Sequence, residues 1–186
     1  MKTLILNGSP RLNGDTAALL AVLRENLNGE ITEISAYRDN IKPCIDCRKC
    51  RTLPGCAIRD DMDIVTSNDF DNVIVASPVY YGLLAGPLIS LASRFQFYYS
   101  AKAFLNAPIE VTPKLGAVIL TAGGSKGNAN NAVPLARVIL RIRGAALPDE
   151  KIIMSAQTDS FPAKNDTAAA EKIRSLAARW NQIDRS

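Results

Sequence analysis

Short apolar runs alternate with helix-period segments along the whole chain. Thr3-Leu4-Ile5-Leu6 reads as a first strand, and a polar turn over residues 8–14 follows it. Leu19, Val22, Leu23 and Leu27 then recur at the i, i+3, i+4 spacing of a helix with one buried stripe. Residues 31–34 form a weaker second strand. Residues 72–76 form a third, with the near-continuous apolar character of a strand covered on both faces. Pro87 suits a helix start, and Leu88, Leu91, Ala92 and Phe95 follow at helical spacing. Residues 115–120 and 151–154 are the fourth and fifth strands. Between them lies a helix carrying Leu135, Val138, Ile139 and Ile142, with Pro134 in its first turn. A last helix presents Ile173, Leu176, Ala177 and Trp180 on one face, which makes Trp180 a core residue. Five repeats of strand then helix predict an α/β protein, a parallel sheet with helices on both sides.

The totals narrow the class. A chain of 186 residues with 47% hydrophobic and 22% charged positions suits one globular domain spanning 1–186. The apolar run before Asn7 is too short for a signal peptide, and no stretch approaches a membrane span, so a cytoplasmic location is expected. The net charge of +4 mildly favours anionic partners and serves solubility equally well. No basic stripe interleaved with aromatics points to nucleic acid. The chain has no histidine, which removes an imidazole base, a Ser-His or Cys-His nucleophile and a His-ligated metal. Catalysis by this chain must draw on an imported group.

In a parallel sheet of this kind, ligands sit beyond the carboxyl ends of the strands where strand order reverses. The loop after the first strand reads Asn7-Gly8-Ser9-Pro10-Arg11-Leu12-Asn13-Gly14-Asp15-Thr16 and runs into a helix. Free N–H groups at a helix start attract an anion; Ser9, Asn13 and Thr16 add donors, and Arg11 adds a cation. Alone, the loop suits an anion or a capped turn, with Asn13 or Asp15 as the N-cap, equally well. Neither a dinucleotide fingerprint nor a Walker loop is present. The segment Gly8-Ser9-Pro10-Arg11-x-Asn13-Gly14-x-Thr16 resembles the phosphate loop of the NAD(P)H-dependent FMN reductase and iron–sulfur flavoprotein group. Ser77-Pro78-Val79-Tyr80-Tyr81-Gly82 and Thr121-Ala122-Gly123-Gly124-Ser125 match that group in the same order. The resemblance covers about residues 1–127.

This resemblance implies a flavodoxin-like three-layer sandwich, with a five-stranded parallel sheet in the order 2-1-3-4-5. It implies FMN as cofactor, its phosphate held by Ser9, Arg11, Asn13, Gly14 and Thr16. The isoalloxazine ring would be lined by Pro78, Val79, Tyr80, Tyr81 and Gly82, and its far edge touched by Thr121, Ala122, Gly123 and Gly124. Hydride transfer from NAD(P)H to a flavin asks the protein to position and polarise the ring, which agrees with the missing histidine and leaves no side chain to name as catalytic. Small acceptors such as flavins or quinones would complete an oxidoreductase reaction.

Cys44, Cys47, Cys50 and Cys56 stand in a Cys-x2-Cys-x2-Cys-x5-Cys array, followed by Asp60, Asp61 and Asp63. Pro43, Pro54 and Gly55 bend this segment, and Lys42, Arg48, Lys49, Arg51 and Arg59 surround it. The spacing departs from the bacterial ferredoxin run, and a structural zinc site pairs two knuckles across a longer loop. It resembles the compact motif of iron–sulfur flavoproteins, which implies one [4Fe–4S] cluster on the four cysteines and a ferredoxin-linked electron carrier as the second functional reading. A thiol-based redox sensor and a basic loop with free thiols stay open beside it. The three aspartates suit the cap of a short helix better than a cation site. Residues 123–131, a polar loop with Lys126, have the length of a lid over substrate or nicotinamide. Leu83, Leu84, Leu88, Phe95, Phe97, Tyr98 and Tyr99 on the helix expected after Tyr81 give it more apolar surface than one face requires. A homodimer or higher homo-oligomer is expected there.

Overall fold

The computed structural model describes residues 1–183 and shows one twisted sheet between two helical layers. Five strands carry it: β1 (Lys2–Asn7), β2 (Glu30–Ser35), β3 (Asn72–Tyr80), β5 (Lys114–Ala122) and β7 (Ile152–Ala156). All five are parallel, in the order β2-β1-β3-β5-β7, which is the expected 2-1-3-4-5 arrangement. Two short strands add to it. β4 (Leu83–Leu84) folds back antiparallel on the end of β3, and β6 (Ala145–Ala146) pairs with the start of β5. The outer edge of β5 is thus shared by β6 and β7, separated at Pro148, which has no N–H to give to a ladder.

Both faces of the sheet are buried, and the side-chain period of two divides them cleanly. Leu4, Leu6, Val73, Val75, Val118 and Leu120 face one side, against α3 (Gly86–Ser93), α5 (Ala132–Ile142) and the short α2 (Met62–Thr66). Ile5, Ile74, Ala76, Ala117, Ile119 and Ile153 face the other, against α1 (Asp15–Asn26) and α6 (Thr167–Asn181). Trp180 is 1% exposed in that second layer. α4 (Gln96–Leu105) follows α3 and lies over the cysteine segment.

The stretch after Tyr81 differs from the single helix expected. Leu83 and Leu84 form β4, and the remainder divides into α3 and α4. Leu84, Leu88, Phe95 and Phe97 are buried, so most of the apparent excess of apolar surface is core. Exposed apolar side chains remain at Leu83, Tyr99 and Phe104. No helix among the described residues is long and apolar enough to cross a membrane.

Candidate functional site

The loops after β1, β3 and β5 meet at the carboxyl edge of the sheet. β1 ends in Asn7, whose Nδ2 donates to Glu33 Oε1 on neighbouring β2 at 2.9 Å and whose Oδ1 accepts the Ser9 N–H at 2.7 Å. Ser9 Oγ, itself buried, exchanges hydrogen bonds with the backbone of Arg11. The loop is therefore folded tightly before it enters α1. Gly14 is the N-cap of that helix and has no side chain to cap it, so the first N–H groups have no intrahelical acceptor. A Cβ at Gly14 would stand 2.9 Å from Arg11 Cβ, so this close turn needs glycine. Asp15, a candidate cap, instead accepts the Ala163 N–H at 2.7 Å and ties the approach to α6 onto this loop.

Thr16 Oγ1 lies 2.8 Å from Thr121 Oγ1, a buried hydroxyl pair joining the first loop to the last residues of β5. β3 runs on to Tyr80 and turns through Tyr81 and Gly82, both at positive φ, into β4. Ser77 Oγ accepts the Ala85 N–H at 3.0 Å, fixing the base of that hairpin. Gly8 packs beneath: a Cβ there would stand 2.9 Å from Ser77 Oγ.

Two adjoining clefts result. One, of about 480 Å³, is lined by Ser9, Arg11, Gly14, Thr16, Pro78, Val79, Tyr80, Thr121 and Gly123, together with Pro10, Asp15, Thr158 and Asp159. The other, of about 570 Å³, is lined by Val79, Tyr81, Gly82, Ala122, Gly123 and Gly124. They share Val79 and Gly123. Every flavin-site residue expected from the sequence borders one of them except Asn13, which is exposed outside both. Tyr81 projects its ring fully into solvent. The expected lid contains a 3-10 turn over Lys126–Ala129, and the Lys126 side chain lies outside the described residues.

The cysteine segment forms a second centre at the C-terminal end of α3. Cys44, Cys47, Cys50 and Cys56 are free thiols and all line one pocket, walled also by Ile45, Ile58, Phe97, Arg48, Arg51 and Arg94. Asp46 and Arg48 on either side of Cys47, and Gly55 before Cys56, sit at positive φ and turn the chain around that cavity. Among the described residues no three potential ligands converge on a single ion. A cubane spaces its ligand sulfurs wider than one ion does, one per iron corner. Four thiols lining one pocket with cationic walls have the donor chemistry that a [4Fe–4S] cluster would use.

Comparison with known proteins gives the family. The family model for NADPH-dependent FMN reductase matches residues 1–159. The chain belongs to that family. An iron–sulfur flavoprotein of Methanocaldococcus jannaschii is 35% identical over 101 residues, which is 50% of this chain and 51% of that one. The match thus spans about half the length of that relative. An iron–sulfur flavoprotein of Methanosarcina thermophila is 26% identical over 96% of this chain and 93% of its own. The NAD(P)H:quinone oxidoreductase of Methanothermobacter marburgensis superposes with a TM-score of 0.72 at 14% identity, covering 100% of this chain and 98% of that one, a likeness of fold.

Within this FMN reductase family member, several residues at the site escaped the sequence reading. Asn7 and Glu33 brace the loop after β1; a polar residue ending an apolar strand was the only visible sign. Thr158 and Asp159 enter the cleft after β7. The Thr158 N–H donates to Ala122 O at 3.0 Å, and the Asp159 carboxylate fills the space a Cβ at Gly123 would need. Asp60 accepts the N–H of Met62, the first residue of α2, at 3.0 Å, the N-cap itself being Asp61 without a side-chain cap bond, and its other oxygen is bound to the buried Arg94 at 2.7 Å. Burial alone would raise the Asp60 carboxyl; Arg94 and the N–H groups of Lys42 and Met62 outweigh it and hold the group below the usual carboxylate range.

Proposed function

We propose that the protein is an FMN-dependent oxidoreductase passing electrons from NAD(P)H to small acceptors such as flavins or quinones. The observation that carries this reading is the uncapped N-terminus of α1, opening on a cleft whose walls are Ser9, Arg11 and Thr16 at one end. Val79 and the backbone of Gly82, Gly123 and Gly124 line the adjoining cleft. When bound there, FMN supplies hydride acceptance and return. The chain's own part is to bind and orient. The free N–H groups of α1, the Thr16 hydroxyl and Arg11 suit a dianionic phosphate. Pro78, Val79 and the Gly123-Gly124 backbone would border a planar ring, with the Tyr80 side chain beside it. No imidazole is required, and none exists.

Titration of flavin-free protein with FMN and with FAD tests this assignment, together with chromatography of the heat-released flavin. Saturable FMN binding with FMN as the released species is expected. FAD as the main species, or no flavin binding, would contradict it.

A second reading rests on a separate observation, the four thiols around one cationic cavity. On that reading Cys44, Cys47, Cys50 and Cys56 hold a [4Fe–4S] cluster, and the protein is a ferredoxin-linked electron carrier; that several relatives are named iron–sulfur flavoproteins supports the cluster part of it. Iron and sulfide analysis of anaerobically prepared protein separates it from the first reading.

A further inference from the structure

Arg94 sits between α3 and α4, is 1% exposed, and takes no part in the flavin cleft. Its guanidinium makes four hydrogen bonds. Nε donates to Cys56 Sγ at 3.3 Å, Nη1 to Asp60 Oδ2 at 2.7 Å and to Lys42 O at 3.0 Å, and Nη2 to Ile58 O at 2.9 Å. One side chain thus reaches the chain on both sides of the cysteine array. Asp60 Oδ2 also accepts the Lys42 N–H at 3.0 Å, and Asn40 and Asp61 pair one step further out. The neighbouring Ser93 Oγ accepts the Cys44 N–H at 3.0 Å, so the first and last cysteines are both tied to the end of α3. α3 itself starts directly after the hairpin beside the flavin cleft.

We propose that Arg94 is the positioning residue of the cysteine centre, setting the position of Cys56 and the reduction potential of the cluster it holds. The inference rests on the cluster reading above. A buried cation donating an N–H to a ligand sulfur draws electron density from it and favours the more negative, reduced cluster. Lysine cannot replace this function, because one ammonium has no planar fork to span a thiolate, a carboxylate and two carbonyls at once.

The test uses full-length protein reconstituted without oxygen, as wild type, Arg94→Lys and the charge-neutral pair Arg94→Gln with Asp60→Asn. The pair removes both buried charges together and keeps a readable variant if Arg94→Lys does not fold. Iron and sulfide content, cluster potential by redox titration under electron paramagnetic resonance, and cluster loss to a chelator are measured, with FMN affinity as the control. Wild type should carry about four irons per chain. The variants should show a more negative cluster potential and lose iron roughly tenfold faster, with FMN affinity unchanged within about twofold. Variants with a wild-type potential and a wild-type rate of iron loss overturn the role of Arg94 while leaving the cluster in place. Wild type containing well under four irons overturns the cluster reading and this inference with it.

Discussion

Asp60→Ala should be the most damaging single change outside the sheet core. The Asp60 side chain is 0% exposed and that of Arg94 is 1% exposed, so neither charge is screened by solvent. Removing the carboxylate leaves a buried guanidinium without its counterion and strands the N–H groups of Lys42 and Met62. Breaking a buried pair by removing one partner costs about 3–5 kcal/mol. In a chain of this size each kcal/mol shifts Tm by roughly 2–4 °C, so a loss of about 6–20 °C is expected. Circular dichroism melts and urea unfolding of flavin-free protein at neutral pH are the assays. Replacing both residues with leucine should recover most of the loss, since a buried pair exchanged for apolar groups is close to neutral. A single-variant loss under about 1 kcal/mol, or a double variant no better than the single, would refute the claim that the pair is desolvated and coupled.

Because the Asp60 carboxyl is depressed in the folded protein, its contribution is fully present above the unfolded value of about 3.9 and is lost as pH falls through the folded value. Acid unfolding of wild type should therefore be steeper than that of Asp60→Asn below about pH 4, and parallel curves would contradict this. Thr16→Val should weaken FMN binding by about one to two decades, since it removes a hydroxyl at the phosphate end of the cleft, and equilibrium titration reads the change. Gly8→Ala should destabilise by about 1–3 kcal/mol, because the added methyl meets Ser77 Oγ at 2.9 Å and the Leu88 side chain, both buried; an unchanged urea midpoint would count against the packing described. Sedimentation at micromolar concentration should show a dimer, through the exposed apolar side chains of Leu53, Tyr99 and Phe104; a monomer alone would remove that expectation.

The sheet was legible because its strands obey a simple rule. Runs such as Val73-Ile74-Val75 are buried on both faces and so carry no polar interruption. The two short strands were not legible, because two residues have no period and are fixed by what they pair with: Leu83 and Leu84 by the end of β3, Ala145 and Ala146 by the start of β5. The same limit explains the helix expected after Tyr81. Positive φ at Tyr81 and Gly82 makes a hairpin turn there, and tertiary pairing overrides an apolar run that also suits a helix. At the site, glycine, proline and hydroxyl residues adjacent in sequence stood out as loops. Asn7 bound to Glu33, Asp15 bound to Ala163 and Arg94 bound to Cys56 did not, since each partner is distant in the chain and ordinary in type.

The proposed function has this chain take electrons from a reduced nicotinamide through FMN held at the three loops. Anaerobic stopped-flow mixing of FMN-loaded protein with NADPH, and separately with NADH, tests it most directly. Loss of the oxidised flavin absorption with at least one nicotinamide, and its return on adding a quinone, is the predicted result. Flavin that stays oxidised with both nicotinamides, while dithionite reduces it normally, would contradict the account.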